Sequence, residues 1–202
     1  DGTDQWGGVE NGLVRRGPNA LNGEEFYTDT NGFVKDKVQA LHLVDSALLV
    51  GTATNGIFRF DLTTRSFTKI PWDYGNLGNS INAIASHFDQ LYVATNNGLI
   101  IMGLDGGDRT IINTEFGLAH NSIHVVYKDK KNSIWIGTKA RYLYEIKENQ
   151  LITHEFAAKG EADIYSISED NAGRIWFATA ENGAYSFDGE NFRSYTSVSG
   201  LK

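Results

Sequence analysis

The chain has 202 residues, with 18 lysines and arginines against 25 aspartates and glutamates, for a formal net charge of −7. This acidity argues against nucleic-acid binding, which requires clustered positive charge. The absence of cysteine excludes disulfides, thiolate metal sites and a cysteine nucleophile. The most apolar stretch, GLIIMGL at residues 98–104, is far shorter than the roughly 20 residues of a membrane-spanning helix. The 22 glycines, 12% aromatic residues and 2 prolines are typical of short strands joined by tight turns.

A four-residue motif recurs along the chain: an aromatic or aliphatic residue, an apolar residue, glycine or alanine, and threonine. The copies are WGGV at 6–9, which is the weakest, LVGT at 49–52, YVAT at 92–95, WIGT at 135–138 and WFAT at 176–179. Their first residues are separated by 43, 43, 43 and 41 positions. This spacing predicts a structural unit of about 43 residues.

Each unit is predicted to contain four strands, the second of which carries the motif. The first strands are expected at 38–43, 81–85, 123–127 and 164–168. A polar turn after the motif ends in glycine at Gly12, Gly56, Gly98 and Gly183, with Tyr142 in the fourth unit. Alternating third strands follow, as at 57–62 and 184–188, and then fourth strands, as at 67–70 and 192–195.

Four antiparallel strands form one sheet that cannot bury both faces alone, so stacked copies around an axis are favoured. We therefore predict an all-β fold, a β-propeller of about five four-stranded blades. The predicted units are approximately 1–37, 38–80, 81–122, 123–163 and 164–202, within a single propeller region. A β-helix is disfavoured because its turns are much shorter. The repeated aromatic residues are expected to pack between adjacent blades.

The repeat resembles the two-component regulator propeller repeat of extracytoplasmic sensor domains in bacterial hybrid histidine kinases. Its motif runs approximately Asn-x-Ile, then Glu-Asp-x-x-Gly-x-Ile-Trp-x-Gly-Thr, then a polar pair and Gly-Leu, and later Phe or Tyr before a closing Gly-Leu pair. The best matches are IYSISEDNAGRIWFATAENG at 164–183, SIHVVYKDKKNSIWIGT at 122–138 and the segment 80–99. Gly-Leu pairs at 117–118 and 200–201 match the end of the motif. Arg141 and Tyr142 depart from it, since they replace the usual Asn-Gly.

The resemblance implies a periplasmic, ligand-sensing region of an inner-membrane sensor, with a small molecule or oligosaccharide as ligand and a histidine kinase module in the same parent chain. The repeat phase places residue 1 after a first-strand position and residue 202 before the next one. The family's larger rings favour a fragment of a bigger propeller, whereas a complete five-bladed ring is the alternative. Open blade edges of a fragment would also favour self-association.

Loops between second and third strands, and between fourth and first strands, form the face where propellers usually bind ligands. The longest such loop, residues 71–79, contains Trp72, Asp73 and Tyr74, and aromatic rings beside polar groups suit a sugar ring. Trp72 could instead cover the blade core. Arg141 and Tyr142 are further candidates, or else a tolerated variant of the turn.

His120, in a fourth-to-first loop, completes the set of candidate ligand-binding residues. His120 and His124 lie four positions apart, but a loop and a strand do not present them on one helical face, so we predict no metal site. Glu169, Asp170 and Asp129 lie in turns between first and second strands, where hydrogen bonding within the turn is expected. The lysines at 128, 130 and 131 are predicted to form a solvated turn, balanced by Asp129.

No catalytic residue or cofactor is predicted, because no pair of carboxylates can be placed across a cleft and no phosphate-binding loop is present. The function that the resemblance implies, non-enzymatic ligand sensing, is therefore favoured. A propeller scaffold for protein partners is the alternative. A propeller lyase or glycosidase is the least favoured hypothesis. It is kept because one fold can host different activities.

Overall fold

The fold is a series of antiparallel sheets. The computed structural model describes residues 4–18, 20–72, 79–158, 160 and 162–196, and these form five sheets. Within each sheet the strands pair in chain order, as in a propeller blade, which confirms the predicted all-β propeller class. None of the helices in these ranges is long and apolar enough to cross a membrane.

The first sheet has three described strands, equivalent to strands two to four of the other sheets. It contains β1 (Gln5–Val9), β2 (Gly12–Arg16) and β3 (Glu24–Tyr27). The second contains β4 (Val38–Val44), β5 (Ala47–Thr52), β6 (Ile57–Asp61) and β7 (Phe67–Lys69). The third contains β8 (Ile81–His87), β9 (Gln90–Thr95), β10 (Gly98–Gly103) and β11 (Thr110–Ile112).

The last two sheets have the same four-stranded order. The fourth contains β12 (Ile123–Lys128), β13 (Ile134–Thr138), β14 (Tyr142–Lys147) and β15 (Gln150–Glu155). The fifth contains β16 (Ile164–Glu169), β17 (Ile175–Thr179), β18 (Ala184–Phe187) and β19 (Phe192–Tyr195). Short 3-10 helices occur at Leu21–Gly23, Asp29–Asn31 and Thr114–Phe116.

The chain divides into two compact units, residues 1–84 and 85–202. In the first unit, aromatic rings of the first and second sheets form the core. The Trp6 ring lies 5.2 Å from Phe60, and Tyr27 lies 4.9 Å from the same ring, between centroids. Trp6 comes from the first motif copy and Phe60 from the next sheet, so this aromatic residue packs between blades as predicted.

The second unit has an equivalent core between the fourth and fifth sheets. Trp135 is buried, and its ring lies 6.0 Å from Phe187 of the fifth sheet. Phe156 packs against Phe177 and Tyr185 at centroid distances of 4.9 and 4.8 Å. Burial of these large rings supplies much of the free energy that holds the two sheets together.

The small residue of the motif permits close stacking of one sheet on the next. A β-carbon built on Gly51 would lie 2.5 Å from Cγ2 of Ile81, and one on Gly137 would lie 2.6 Å from Cγ2 of Ile164. Ile81 and Ile164 each begin the first strand of the following sheet. Because real β-carbons do not approach so closely, any larger residue would force the sheets apart.

Aspartates hold the turns between first and second strands of the last two sheets. Asp129 Oδ1 accepts hydrogen bonds from the amides of Lys131 and Ser133, and its Oδ2 accepts one from Trp135 Nε1 at 2.8 Å. Asp170 does the same for its own turn and for Trp176 Nε1, at 2.9 Å. These carboxylates therefore act within the turn, as the sequence predicted.

We expect Asp129→Ala to lower the free energy of unfolding by about 2 to 4 kcal/mol, because two amides and a buried indole N–H lose their acceptor. Chemical denaturation measures this difference. Glu190→Ala, at an exposed turn position, is the control and should change stability by less than about 0.5 kcal/mol. Equal effects of the two substitutions would contradict the role of Asp129.

Asp170 should make stability depend on acidic pH. Hydrogen bonds from Trp176 Nε1 and from the Arg174 amide and guanidinium lower its pKa. Its contribution is then fully present above the pKa of an unfolded aspartate, about 4, and is lost as pH falls towards the folded pKa. Denaturation between neutral and strongly acidic pH should show a steeper loss of stability for the wild type than for Asp170→Asn. Parallel curves would contradict this account.

Candidate functional site

Two kinds of loop meet at one end of each blade. In the second to fifth blades, amides of the loop between the second and third strands donate backbone hydrogen bonds to carbonyls of a segment that leads into the first strand of the same or the next blade. These bonds are Ala53 N to Lys37 O, Gly56 N to Asn79 O, Gly98 N to Asn121 O, Lys139 N to Ser122 O and Ala180 N to Asp163 O. Side chains from both loops are therefore collected at this end, which we call the loop end.

The motif threonine organises the second-to-third loop in three blades. Its hydroxyl donates to the carbonyl of the glycine that ends the turn and accepts from an asparagine amide within the turn. The donor pairs are Thr52–Gly56, Thr95–Gly98 and Thr179–Gly183, at 2.9, 2.8 and 2.9 Å. The accepting pairs are Thr52–Asn55, Thr95–Asn97 and Thr179–Asn182, at 3.0, 3.0 and 3.1 Å.

The fourth blade breaks this arrangement. Tyr142 occupies the glycine position, and the hydroxyl of Thr138 is fully buried without a hydrogen-bond partner among the residues that the structure describes. A buried polar group without a partner costs about 1 to 3 kcal/mol. The turn at Arg141 and Tyr142 thus contributes less to stability than its three counterparts. Such local losses of stability are expected mainly at functional positions.

Arg141 and Tyr142 both lie at the loop end of the fourth blade. Arg141 is exposed, and its Nε lies 3.6 Å from an oxygen of the exposed Glu155, an ion pair that contributes little to stability in solvent. The Tyr142 ring is half-buried, 6.1 Å from the ring of Tyr144. Tyr144 in turn accepts a hydrogen bond from the Ala119 amide at 2.7 Å, which fixes the preceding loop.

A second set of side chains lies where the fourth and fifth blades adjoin at this end. The pairing register shifts at His124 in β12 and at Tyr165 in β16, so each residue sits in a β-bulge near the start of its first strand. The two rings stack, with centroids 4.4 Å apart and planes inclined by 22°. Tyr165 is 54% exposed, so much of this aromatic ring faces solvent.

Polar atoms without partners lie beside the stacked rings. His124 Nε2 and Asp163 Oδ1 are buried and make no hydrogen bond within the described part of the chain. His124 Nε2 lies 3.9 Å from Asp163 Oδ2, which exceeds hydrogen-bond distance, and the Tyr165 hydroxyl reaches that oxygen at only 3.5 Å. Buried groups left in this way require an explanation, such as a ligand or an ordered water.

Burial keeps His124 uncharged near neutral pH. Desolvation lowers the pKa of its imidazole, Asp163 opposes that change, and His120 and Lys139 lower the pKa further. A neutral imidazole carries one N–H donor and one acceptor nitrogen. His124 can therefore either donate a hydrogen bond to a hydroxyl group or accept one from it, next to the carboxylate of Asp163.

The candidate residues from the sequence fall into separate places. Trp72 lies in the first unit, where its ring covers the turn at Gly56: a β-carbon built there would lie 2.8 Å from Trp72 Cγ. His120 is exposed in the second unit, and its Nδ1 accepts from the Ser122 amide at 2.9 Å. Arg141 and Tyr142 also belong to the second unit, whereas Asp73 and Tyr74 lie outside the described residues.

Sequence reasoning considered His124 only as a metal ligand and missed Asp163, Tyr165 and Lys139. Within the described ranges no group of three or more histidines, aspartates or glutamates could hold a metal ion. The sequence nevertheless contained a signal for these residues. Each first strand opens with an aliphatic residue, and the two residues that flank it differ from unit to unit. These pairs are Lys37 and Gln39, Ser80 and Asn82, Ser122 and His124, and Asp163 and Tyr165.

Comparisons with known proteins agree with the repeat. The family model described as two component regulator propeller matches residues 117–140 and 159–181. These two segments are thus similar to the two-component regulator propeller repeat. It is also 25% identical to histidine kinase P4 of Formosa agariphila, over 81% of this chain and 13% of that protein.

Solved structures share the fold. The extracellular domain of a putative one component system from B. thetaiotaomicron has a TM-score of 0.75 and 24% identity, covering 97% of this chain and 27% of that one. Streptogramin B lyase has a TM-score of 0.74 and 14% identity, covering 96% and 69%. At these identities the likeness shows the fold alone. The chain spans about an eighth of the kinase and about a quarter of the extracellular domain.

Restoring the usual turn should stabilise the fourth blade. We expect Arg141→Asn combined with Tyr142→Gly to raise the free energy of unfolding by about 1 to 2 kcal/mol, because Thr138 regains a carbonyl acceptor. A double-mutant cycle with Thr138→Val provides the control. That substitution should be nearly neutral in the wild type and destabilising in the restored turn; the reverse order would contradict our account of the loop.

Proposed function

We propose that this chain is the ligand-sensing propeller region of a bacterial two-component sensor, that it binds carbohydrate at the loop end of its second unit, and that it signals to a histidine kinase in the parent protein. The observation that carries the proposal is the exposed ring of Tyr165 beside the unpartnered buried atoms of His124 and Asp163. The family match and the kinase relative support the sensor role. An extracytoplasmic, periplasmic location follows from the same proposal.

The chemistry of this site suits a sugar. Asp163 Oδ1 can accept from one ring hydroxyl, and His124 Nε2 can bond a neighbouring hydroxyl, so both buried atoms would gain partners. The outer face of Tyr165 offers a platform for the C–H face of the ring. His120 and Arg141 lie on loops of the same unit, and Tyr142 begins β14 next to Arg141, so these three residues would contact further sugar units of an oligosaccharide.

The proposed role is binding rather than catalysis. The carboxylates Asp129 and Asp170 already accept hydrogen bonds from their turns and from tryptophan indoles. Asp163 faces the imidazole of His124 at 3.9 Å and the hydroxyl of Tyr165, rather than the second carboxylate with which most glycosidases pair their catalytic acid.

Ligand binding would couple two blades. His124 belongs to the fourth sheet, whereas Asp163 and Tyr165 belong to the segment that opens the fifth. A ligand held by all three favours conformations in which these blades keep their present spacing, and a conformational shift requires such differential affinity. In the parent protein, this shift is the proposed signal to the kinase module.

Isothermal titration calorimetry against a panel of neutral and acidic oligosaccharides tests this proposal. With a binding glycan, Tyr165→Ala and Asp163→Asn should each weaken affinity by about tenfold or more, about 1.4 kcal/mol. Phe26→Ala removes a ring that is 52% exposed in the first unit and should leave affinity unchanged. Glycan binding that both site variants retain would contradict the assigned site, and a panel without binding would contradict carbohydrate as the ligand class.

A further inference from the structure

An exposed phenylalanine occupies a strained turn at the opposite end of the third blade. Phe88 follows β8, is 83% exposed and has a φ of 49°, in the left-handed region where bulky residues are outliers. Asp45 has the same place in the second blade, with a φ of 50°. The turns are equivalent, since Leu62 N donates to Ser46 O and Leu104 N donates to Asp89 O, both at 3.0 Å.

Phe88 therefore contributes nothing to the stability of the isolated chain. Aspartate tolerates a positive φ better than phenylalanine does, and the exposed ring buries little apolar surface beyond its contact with His87 at 4.1 Å. A residue that is unfavourable both for the backbone and for hydration is expected to serve an interaction.

A basic groove lies on one side of Phe88. Its volume is about 320 Å³, and it has an apolar floor of Tyr92, Ile134 and Ile146. Its charged lining is Lys131, Lys147 and one acidic residue, Glu148, so lysine is in excess. Neither lysine ammonium makes a hydrogen bond or ion pair with the described part of the chain. Asp129, expected to balance the neighbouring lysines, is buried and bonded to its own turn, so of the acidic residues near the groove Glu148 alone lines it against two lysines.

An acidic pocket lies on the other side. It has a volume of about 470 Å³ and is lined by Asp89, Asp105 and Asp108 together with Leu104 and Gln90. Gln90 lines the basic groove as well, so the two regions are contiguous. The surface around Phe88 thus has a basic half and an acidic half; we call it the bipolar surface.

We propose that the bipolar surface binds a second copy of this chain in a two-fold symmetric dimer. A two-fold axis near Phe88 would place the acidic half of each copy on the basic half of the other, and each Phe88 ring beside the apolar floor of its partner's groove. Such a self-complementary patch is what a symmetric interface requires. The net charge of −7 makes other surfaces of two copies repel each other. The acidic and basic halves of the bipolar surface therefore favour this orientation over others.

This inference goes beyond ligand sensing and concerns a different surface. The bipolar surface is formed by the turns between first and second strands and between third and fourth strands, together with the adjoining strand ends. It lies at the opposite end of the blades from His124 and Tyr165. It also differs from the open blade edges expected from the sequence. Because one ring and a few charge contacts form a small interface, we expect a weak dimer, with a dissociation constant between micromolar and millimolar.

Sedimentation velocity over a concentration series tests the dimer. The wild type should associate, and Phe88→Asp should remain monomeric while unfolding at the same or a higher denaturant concentration, because aspartate suits the turn. Phe116→Asp adds the same charge at a phenylalanine that is 64% exposed and should leave association intact. A monomeric wild type would overturn the proposal, and so would association that Phe88→Asp leaves unchanged. The second result would indicate that the chain associates through its open blade edges.

A charge exchange identifies the orientation. One variant carries Lys131→Glu and Lys147→Glu, and the other carries Asp89→Lys and Asp108→Lys. Each should be monomeric alone, because like charges then meet in a symmetric pair. An equimolar mixture should form a heterodimer, because both contacts become complementary, and added salt should weaken it. A mixture that stays monomeric would overturn the two-fold arrangement.

Discussion

The structure depends on how closely one sheet can stack on the next. Ile81 and Ile164 each press against a glycine of the preceding blade, and a β-carbon at either glycine would lie within 2.6 Å of the isoleucine. The aromatic residues of the cores, such as Trp135 against Phe187, are buried only because the sheets approach to this distance. This constraint explains why a small residue recurs in the motif and also fixes the segments that carry the loop-end side chains.

Departures from the chain's own repeat are the most informative features for function. Thr138 lacks the hydrogen bonds that its counterparts make, since Tyr142 replaces glycine, and Phe88 stands where another blade has Asp45. His124 and Tyr165 are likewise aromatic at positions where other blades have Gln39 or Asn82. In each case the blade architecture tolerates the change, while local stability or solvation is sacrificed, as happens where binding requires it.

The two proposed surfaces occupy opposite ends of the blades, and this separation has a physical consequence. In our proposal, ligand at the loop end would act on the spacing of the fourth and fifth blades through His124, Asp163 and Tyr165, which meet there. The bipolar surface includes two lysines of that same fourth blade, Lys131 in the turn between β12 and β13 and Lys147 at the end of β14. A rigid sheet connects the two ends, so a change in blade spacing at one end can alter the fit at the other.

The sequence by itself determined the all-β propeller class, the repeat and the aspartate turns, because these depend on local pattern: period-two alternation, glycine at turns and carboxylates within reach of nearby amides. It also placed His120 and Arg141 on loops, whereas Tyr142, expected to end the same turn as Arg141, is the first residue of β14. Only the tertiary structure brought His124 against Tyr165 and Asp163, since those residues are about forty positions apart and meet through stacking of separate blades. It likewise showed that Trp72 covers a turn and that Asp129 faces inward, because side-chain direction depends on packing that the linear pattern does not contain.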